Sequence, residues 1–313
     1  MEGVRRWWQE LAGLVLPAEC GGCGSARTVL CPPCRAALGG AEPFRVRPVP
    51  EPPGLPAVHA AARYADEVRA TLLAHKERGA LALARPLGAA LAGAVRAGVG
   101  VGEVGWGEGE GPRTPGDLLL VPVPSTRATV RARGHDPARR IALAAAGELR
   151  RVGVPARVAA VLRQRRAVAD QSGLGSRQRL DNLVGALTVV PGGARVLCGG
   201  PVVLVDDVVT TGASLAEAAR AVRAVRVAEA AQRAGQGQSG RCEEEAKGAL
   251  CGEGATAGYV GRTREDSKKL SGAEVTGVDG VSVRALDDAG GAGDVLCAAV
   301  VAASPDSFEI NRN

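Results

Sequence analysis

From residue 58 onward the chain is predicted to be α/β, with a parallel sheet covered by helices on both faces. Three observations predict it. Leu118-Leu119-Leu120-Val121 and Val202-Val203-Leu204-Val205 are apolar at every position, as strands buried on both sides must be. Helical patterns lie before, between and after these two runs, the alternation that builds parallel sheets. The second run leads through Asp206-Asp207 and a short hydroxyl-rich loop into a further helix, the order in which open α/β sheets present ligand sites.

The elements follow in order. Residues 1–40 hold two cysteine pairs with little regular periodicity and read as a small module. Residues 41–57 carry Pro43, Pro48, Pro50, Pro52, Pro53 and Pro56 and read as an extended linker. Val68, Leu72 and Leu73, then Leu81, Leu83, Leu87 and Leu91, have helical spacing. A glycine-dense loop spans 102–116, and the strand from Leu118 ends in a turn at Val123-Pro124. Residues 136–151 are Ala-rich and helical, and 215–225 form the helix after the second strand. Residues 228–294 are Gly-rich and of mixed charge without sustained periodicity, a composition that favours disorder. The apolar run 295–303 fits one more buried strand, so the α/β domain covers 58–313 with an insert at about 228–294.

Composition narrows the function classes. Hydrophobic residues make up 46% of 313 and aromatics 2%, so the core must come from Val, Leu and Ala. Scarce aromatics argue against readers that stack single-stranded bases on rings. The net charge of +6 divides into +11 for residues 1–226 (30 basic, 19 acidic) and −5 for 227–313 (9 basic, 14 acidic). The basic part is Arg-rich, with Lys76 its single lysine. Such a surface suits phosphorylated small molecules as well as nucleic acid. No apolar run approaches the roughly 18–20 residues that cross a bilayer. Arg5-Arg6 before Leu11–Leu16 has the outline of a leader, but Trp7, Trp8, Gln9 and Glu10 interrupt it and Glu19 occupies the place of a small residue. A cytoplasmic protein without membrane insertion is expected.

The stretch Val202 to Ser214 carries the chemistry. Loop amides and the start of a helix attract an anion, and Gly212 allows backbone to approach a phosphate closely. Thr210, Thr211 and Ser214 add hydroxyl donors. The acids Asp206 and Asp207 would repel a phosphate unless they face neutral hydroxyls or a bound metal. A phosphorylated ribose meets both conditions, with hydroxyls to donate and Mg²⁺ to balance charge. No G-x-x-x-x-G-K-[ST] occurs, which removes the nucleoside-triphosphate P-loop as a rival.

Cys20-x2-Cys23-x7-Cys31-x2-Cys34 supplies four thiolates in two knuckles. The spacing suits a structural tetrahedral Zn²⁺, with Gly21, Gly22 and Gly24 permitting tight turns. So small a module lacks a core of its own and would draw its folding free energy from the metal. Two disulfides are the alternative if the chain is secreted, and an iron–sulfur cluster is a lesser rival. Cys198, Cys242, Cys251 and Cys297 lack paired spacing and read as free thiols.

At this point the chain resembles the phosphoribosyltransferase superfamily, and its ComF branch in particular. Besides Val202 to Ser214, Leu120-Val121-Pro122-Val123-Pro124-Ser125 with Arg131-Ala132-Arg133-Gly134-His135-Asp136 is similar to a V-P-V-P…R-x-R-G-[FH]-[ND] block. Arg163-Gln164-Arg165, Gln171 to Leu174, Arg177, Arg179 and Asn182 resemble an R-x-R…Q-x-x-L…R…N block. Tyr64, Lys76 and Gly79 fit the upstream pattern, and Ser307 to Arg312 is like the ending of actinobacterial members.

The resemblance implies a type I phosphoribosyltransferase fold that binds phosphoribosyl pyrophosphate with Mg²⁺. Asp206 and Asp207 would hold the ribose hydroxyls and act as the catalytic pair. Thr210, Thr211, Gly212, Ala213 and Ser214 would hold the 5-phosphate. Val123, Pro124, Ser125, Thr126 and Arg127 would receive pyrophosphate. A mobile hood over about 163–182 would bring Arg163, Arg165, Arg166, Arg177 and Arg179 over the leaving group. The resemblance also implies zinc at Cys20, Cys23, Cys31 and Cys34. It implies transfer of phosphoribose to a nitrogenous acceptor that no readable loop identifies. His135 is not expected to be a catalytic base, and Lys76 is expected at an ordinary surface helix position. Two other functions fit. ComF relatives are associated with DNA uptake in competent bacteria, so the chain would bind DNA or a helicase partner. Alternatively it would be a nucleotide-sensing regulator that binds its ligand without consuming it. The chain departs from the family at 228–294, where relatives pass almost directly into the last strand, and this departure puts the docking of that strand in question.

Overall fold

The computed structural model describes residues 19–100, 117–165, 183–248 and 295–305, with the backbone alone for 234–248 and 295–296. The segment weighed as a leader, the loop 102–116, most of the insert and the ending Ser307 to Arg312 lie outside the described residues. The chain divides into two compact units, 1–229 with 293–313, and 230–292.

In chain order the elements are α1 (Pro32–Gly39), β1 (Phe44–Val46), β2 (Val58–Arg63), α2 (Asp66–Lys76), a 3-10 turn (Leu81–Leu83), α3 (Ala84–Gly98), β3 (Leu118–Pro122), α4 (Arg127–Arg133) and α5 (Pro137–Arg151). There follow β4 (Ala156–Val158), β5 (Leu162–Gln164), β6 (Leu187–Val189), α6 (Gly193–Leu197), β7 (Val202–Val209), α7 (Ala213–Gly248) and β8 (Val295–Ala303). The fold is α/β as predicted.

Six strands form one sheet in the order β1-β2-β8-β7-β3-β4. Every neighbouring pair is parallel except β1 with β2. Strands β5 and β6 form a separate antiparallel pair. The apolar strands divide their side chains between two cores, as buried strands do. Leu118, Leu120, Val203 and Val205 enter one core with α3 and α5. Leu119, Val121, Val202 and Leu204 enter the other with α7. Both cores consist largely of Leu, Val and Ala.

Strand β8 docks at the middle of the sheet, between β7 and β2, despite the long insert that precedes it. Cys297 to Ala303 are all buried, and the small Ala298, Ala299, Ala302 and Ala303 suit a strand packed on both faces. Strand β7 runs farther than the apolar run alone indicates. Its pairing with β8 continues through Asp206↔Val300, Val208↔Ala302 and Val209↔Ala303, so both acids belong to the strand.

The Pro-rich segment includes the edge strand β1, and Pro48, Pro52 and Pro56 are buried. The cysteine segment shares the first core: Cys20, Leu30, Cys34 and Leu38 pack in one cluster with Leu72, Leu83, Leu87 and Leu91. Helix α7 extends to Gly248, beyond the expected end near Val225. Ala228, Glu229, Ala230, Ala231 and Gln232 are strong helix formers, so the first part of the Gly-rich insert is helical. No helix among the described residues is long and apolar enough to cross a membrane.

Candidate functional site: paired acids at the carboxyl edge of the sheet

The carboxyl ends of β3 and β7 lie side by side, with Pro122 paired to Val205 and the Val123 amide donating to the Val205 carbonyl at 2.9 Å. This register brings the turn 123–127 and the segment 206–214 to one edge of the sheet. Val123 is buried, Pro124, Ser125 and Thr126 are half-buried, and Arg127 is exposed. Thr126 caps α4, its hydroxyl accepting from the Thr129 amide at 3.0 Å.

Asp206 is half-buried and Asp207 buried. Oδ1 of Asp206 accepts the Asp207 amide at 2.8 Å, and Oδ1 of Asp207 accepts the Val208 amide at 2.9 Å. The remaining oxygen of Asp207, Oδ2, accepts from Lys76 Nζ at 2.7 Å. Burial and the charge of Asp207 push the Asp206 carboxyl well above the usual carboxylate range, against the opposing pull of Lys76. Burial disfavours the Lys76 ammonium, but the two acids outweigh it and raise the group's pKa overall. Lys76 therefore belongs to the site, which corrects its expected place on an ordinary surface helix.

A block of neighbouring residues holds the end of α2 where Lys76 sits. Arg133 grips Glu77 through two bonds, Nε to Oε2 at 3.0 Å and Nη2 to Oε1 at 2.5 Å. The buried His135 ring places Nε2 3.1 Å from the His75 carbonyl and packs edge-on against the His75 ring, centroids 5.4 Å apart. Asp136 caps α5 by accepting the Arg139 amide at 3.1 Å. The Arg-x-Arg-Gly-His-Asp block thus joins α4 and α5 to the end of α2, and His135 is a packing residue here.

The loop after β7 descends from exposed Thr210 through half-buried Thr211 to buried Gly212 and Ala213 and half-buried Ser214. Gly212 has φ of 75°, a conformation costly for residues with a Cβ. A Cβ there would lie 3.0 Å from Leu55 Cδ2 and 3.2 Å from Pro48 Cγ, because the Pro-rich segment packs over this turn. The β5–β6 pair rests on the start of α7. Buried Glu217 accepts the Leu187 amide at 3.0 Å, Arg220 donates to both Glu217 and the Leu187 carbonyl, and Leu183 and Ala186 pack with Ala213. Arg163 and Arg165 are exposed on that pair; Arg166, Arg177 and Arg179 lie outside the described residues.

The four cysteines Cys20, Cys23, Cys31 and Cys34 converge, their sulfurs all within 4.8 Å of one another. A tetrahedral ion with Zn–S bonds of about 2.3 Å would hold its sulfurs about 3.8 Å apart, so the cluster fits a metal of that kind. Three of the cysteines are buried, and no disulfide joins any of the four. Gly22 is required: a Cβ there would stand 2.7 Å from Cys34 Sγ and 3.2 Å from Thr71 Oγ1 of α2. Burial opposes ionisation of Cys20, but amide hydrogen bonds prevail and lower its thiol to about 6. Cys34 is pushed upward by burial and by neighbouring sulfurs. Of the remaining cysteines, Cys198 and Cys297 are free thiols.

Several of these groups lay beyond sequence reasoning. Glu217 carries no motif, and Glu77 gains meaning only from its partner 56 residues away. Lys76 offered two signals, as the single lysine of an Arg-rich stretch and as part of the Tyr64, Lys76 and Gly79 pattern of the resemblance. No protein-family model matches the chain, and a search of curated proteins found no match.

Proposed function

We propose that the chain is a ComF-like protein of the phosphoribosyltransferase type that binds phosphoribosyl pyrophosphate at this edge of the sheet. One observation carries the reading: a buried parallel strand presents two acids, one charge-balanced by a lysine, directly before a hydroxyl loop that opens a helix. Ribose hydroxyls donate to Asp206 and Asp207, and the 5-phosphate takes the hydroxyls and amides of Thr210 to Ser214. Pyrophosphate lies toward Ser125, Thr126 and Arg127 on the adjoining turn. The acceptor is a nitrogenous nucleophile. Its nitrogen forms a bond to C1 of the ribose as the C1–oxygen bond breaks. The bonding pair leaves on pyrophosphate, and the acceptor's N–H proton passes to pyrophosphate or solvent. Cationic charge builds on the sugar in that step, and the fixed carboxylates stabilise it.

Zinc at Cys20, Cys23, Cys31 and Cys34 is part of the same reading, as a structural ion that ties the turn of Cys20 and Cys23 to the start of α1. A resident Mg²⁺ fits less well. The two acids would have to draw that ion in against the Lys76 ammonium, which already lies 2.7 Å from Oδ2 of Asp207. The test is calorimetric titration of phosphoribosyl pyrophosphate, with Mg²⁺ in solution, into the wild type and an Asp206→Asn/Asp207→Asn variant. Saturable binding that the variant loses supports the reading. No binding to folded wild type overturns it and moves weight to the DNA-linked role.

A further inference from the structure

Two acids beside an anion site pose a charge problem, and the chain contains its own answer. Lys76 is the last residue of α2, and its side chain is 34% exposed against 9% for Asp207. The ammonium meets the oxygen that Asp207 does not give to the Val208 amide. Its place is prepared rather than chosen by a free side chain, since Arg133 fixes Glu77 and His135 fixes the His75 carbonyl on either side of it. A compact ammonium at this point supplies the positive charge that a divalent ion would otherwise bring to Asp207.

We propose that Lys76 is the counter-ion of the acid pair, so that a ribose 5-phosphate group binds at Asp206, Asp207 and the 210–214 loop without a divalent metal. The inference rests on the functional reading above and specifies how that site handles charge. Any divalent ion would then serve the pyrophosphate alone, so metal dependence belongs to one end of the ligand. The lysine also lowers the repulsion that a phosphate would meet on approach. Its loss would leave Asp207 without a cation beside an anionic ligand.

The experiment titrates ribose 5-phosphate into the full chain in two buffers. One is freed of divalent ions over chelating resin, with elemental analysis to show that thiolate-bound metal stays in place; the other contains added Mg²⁺. Wild-type affinities are expected to agree within about threefold. Lys76→Met is expected to lose about tenfold or more in the metal-free buffer and to recover part of it with Mg²⁺. Lys76→Arg, which keeps the charge but meets a single oxygen less well, is expected to retain more metal-free binding than Lys76→Met. Wild-type binding that appears only with Mg²⁺ overturns the inference and leaves the functional reading intact. Absence of binding for both ribose 5-phosphate and phosphoribosyl pyrophosphate in either buffer overturns both. Should Lys76→Met fail to fold, the two wild-type titrations decide alone.

Discussion

Cys34→Ser tests the proposed zinc site by separating what a bound metal would hold from what packing holds. Cys34 is 2% exposed, and serine offers a hard hydroxyl where a tetrahedral zinc site wants a thiolate. Zinc supplies about 10–16 kcal/mol to free-standing fingers, comparable with the roughly 5–15 kcal/mol net stability of a whole domain. Here the segment has a second attachment. Leu30 and Leu38 are 3% and 1% exposed, and burial of each contributes about 1.5–3 kcal/mol, so roughly 3–6 together. That is less than the share a bound zinc would supply, so residues 19–40 should come loose when one ligand is lost. The sheet should persist, because the core of Leu119, Leu204, Leu215 and Val300 includes no residue of the segment. Hydrogen exchange read by mass spectrometry checks this. Amides of 20–40 should exchange faster in the variant, while those of β3 and β7 stay protected. Unchanged exchange in 20–40, or simultaneous loss of protection across β3 and β7, would refute the reasoning.

Three further perturbations probe the edge of the sheet. Gly212→Ala forces a Cβ into a left-handed position at a cost of about 1–2 kcal/mol, crowded further by Leu55 and Pro48. Its melting temperature should fall by several degrees and its affinity for phosphoribosyl pyrophosphate with it; an unchanged melt would contradict the packing over this turn. Glu77→Gln breaks an ion pair whose acid is 46% exposed, worth about 0.2–1 kcal/mol. Its melting temperature should hold while ribose 5-phosphate affinity drops about threefold or more, and equal affinity would deny Glu77 a part in placing Lys76. Asp206→Asn addresses pH. The folded protein holds the Asp206 proton more tightly than the unfolded chain. The associated stability is therefore full below the ordinary value of about 3.9 and is lost as pH rises through the raised folded value. Melting temperatures from pH 4 to 8 should decline less for the variant than for the wild type, and parallel curves would count against the shift.

The parts of the fold visible in the sequence are those fixed by local pattern. Leu118 to Val121 and Val202 to Val205 are apolar throughout, and their burial in two cores follows from that alone. The helix of 136–151 matches α5 closely. What escaped reading depends on partners far along the chain. Asp206 and Asp207 break the apolar run, and only the long pairing with β8 keeps them in a strand. The three-residue strands β1, β4, β5 and β6 are too short to show a period. Proline composition indicated an extended segment at 41–57, but not that Val46, at 2% exposure, is buried in the core beside β2.

The candidate site divides in the same way. Acids, hydroxyl loop and helix are contiguous in sequence and could be recognised together, whereas the cation that balances them is 131 residues away from Asp207. From contiguous residues alone, two acids beside an anion loop call for a metal or for neutral hydroxyls. A tertiary contact supplies another solution, and the choice of lysine has a physical basis. Arginine presents a flat fork suited to both oxygens of a carboxylate, but Asp207 commits Oδ1 to the Val208 amide and leaves Oδ2 alone. A point charge with rotatable donors matches a single oxygen better than a fork does. That is a reason for one lysine in a stretch whose other basic residues are all arginine. It also assigns work to the Arg131–Asp136 block beyond its resemblance, since Arg133 and His135 secure the end of α2 from which Lys76 reaches the acids.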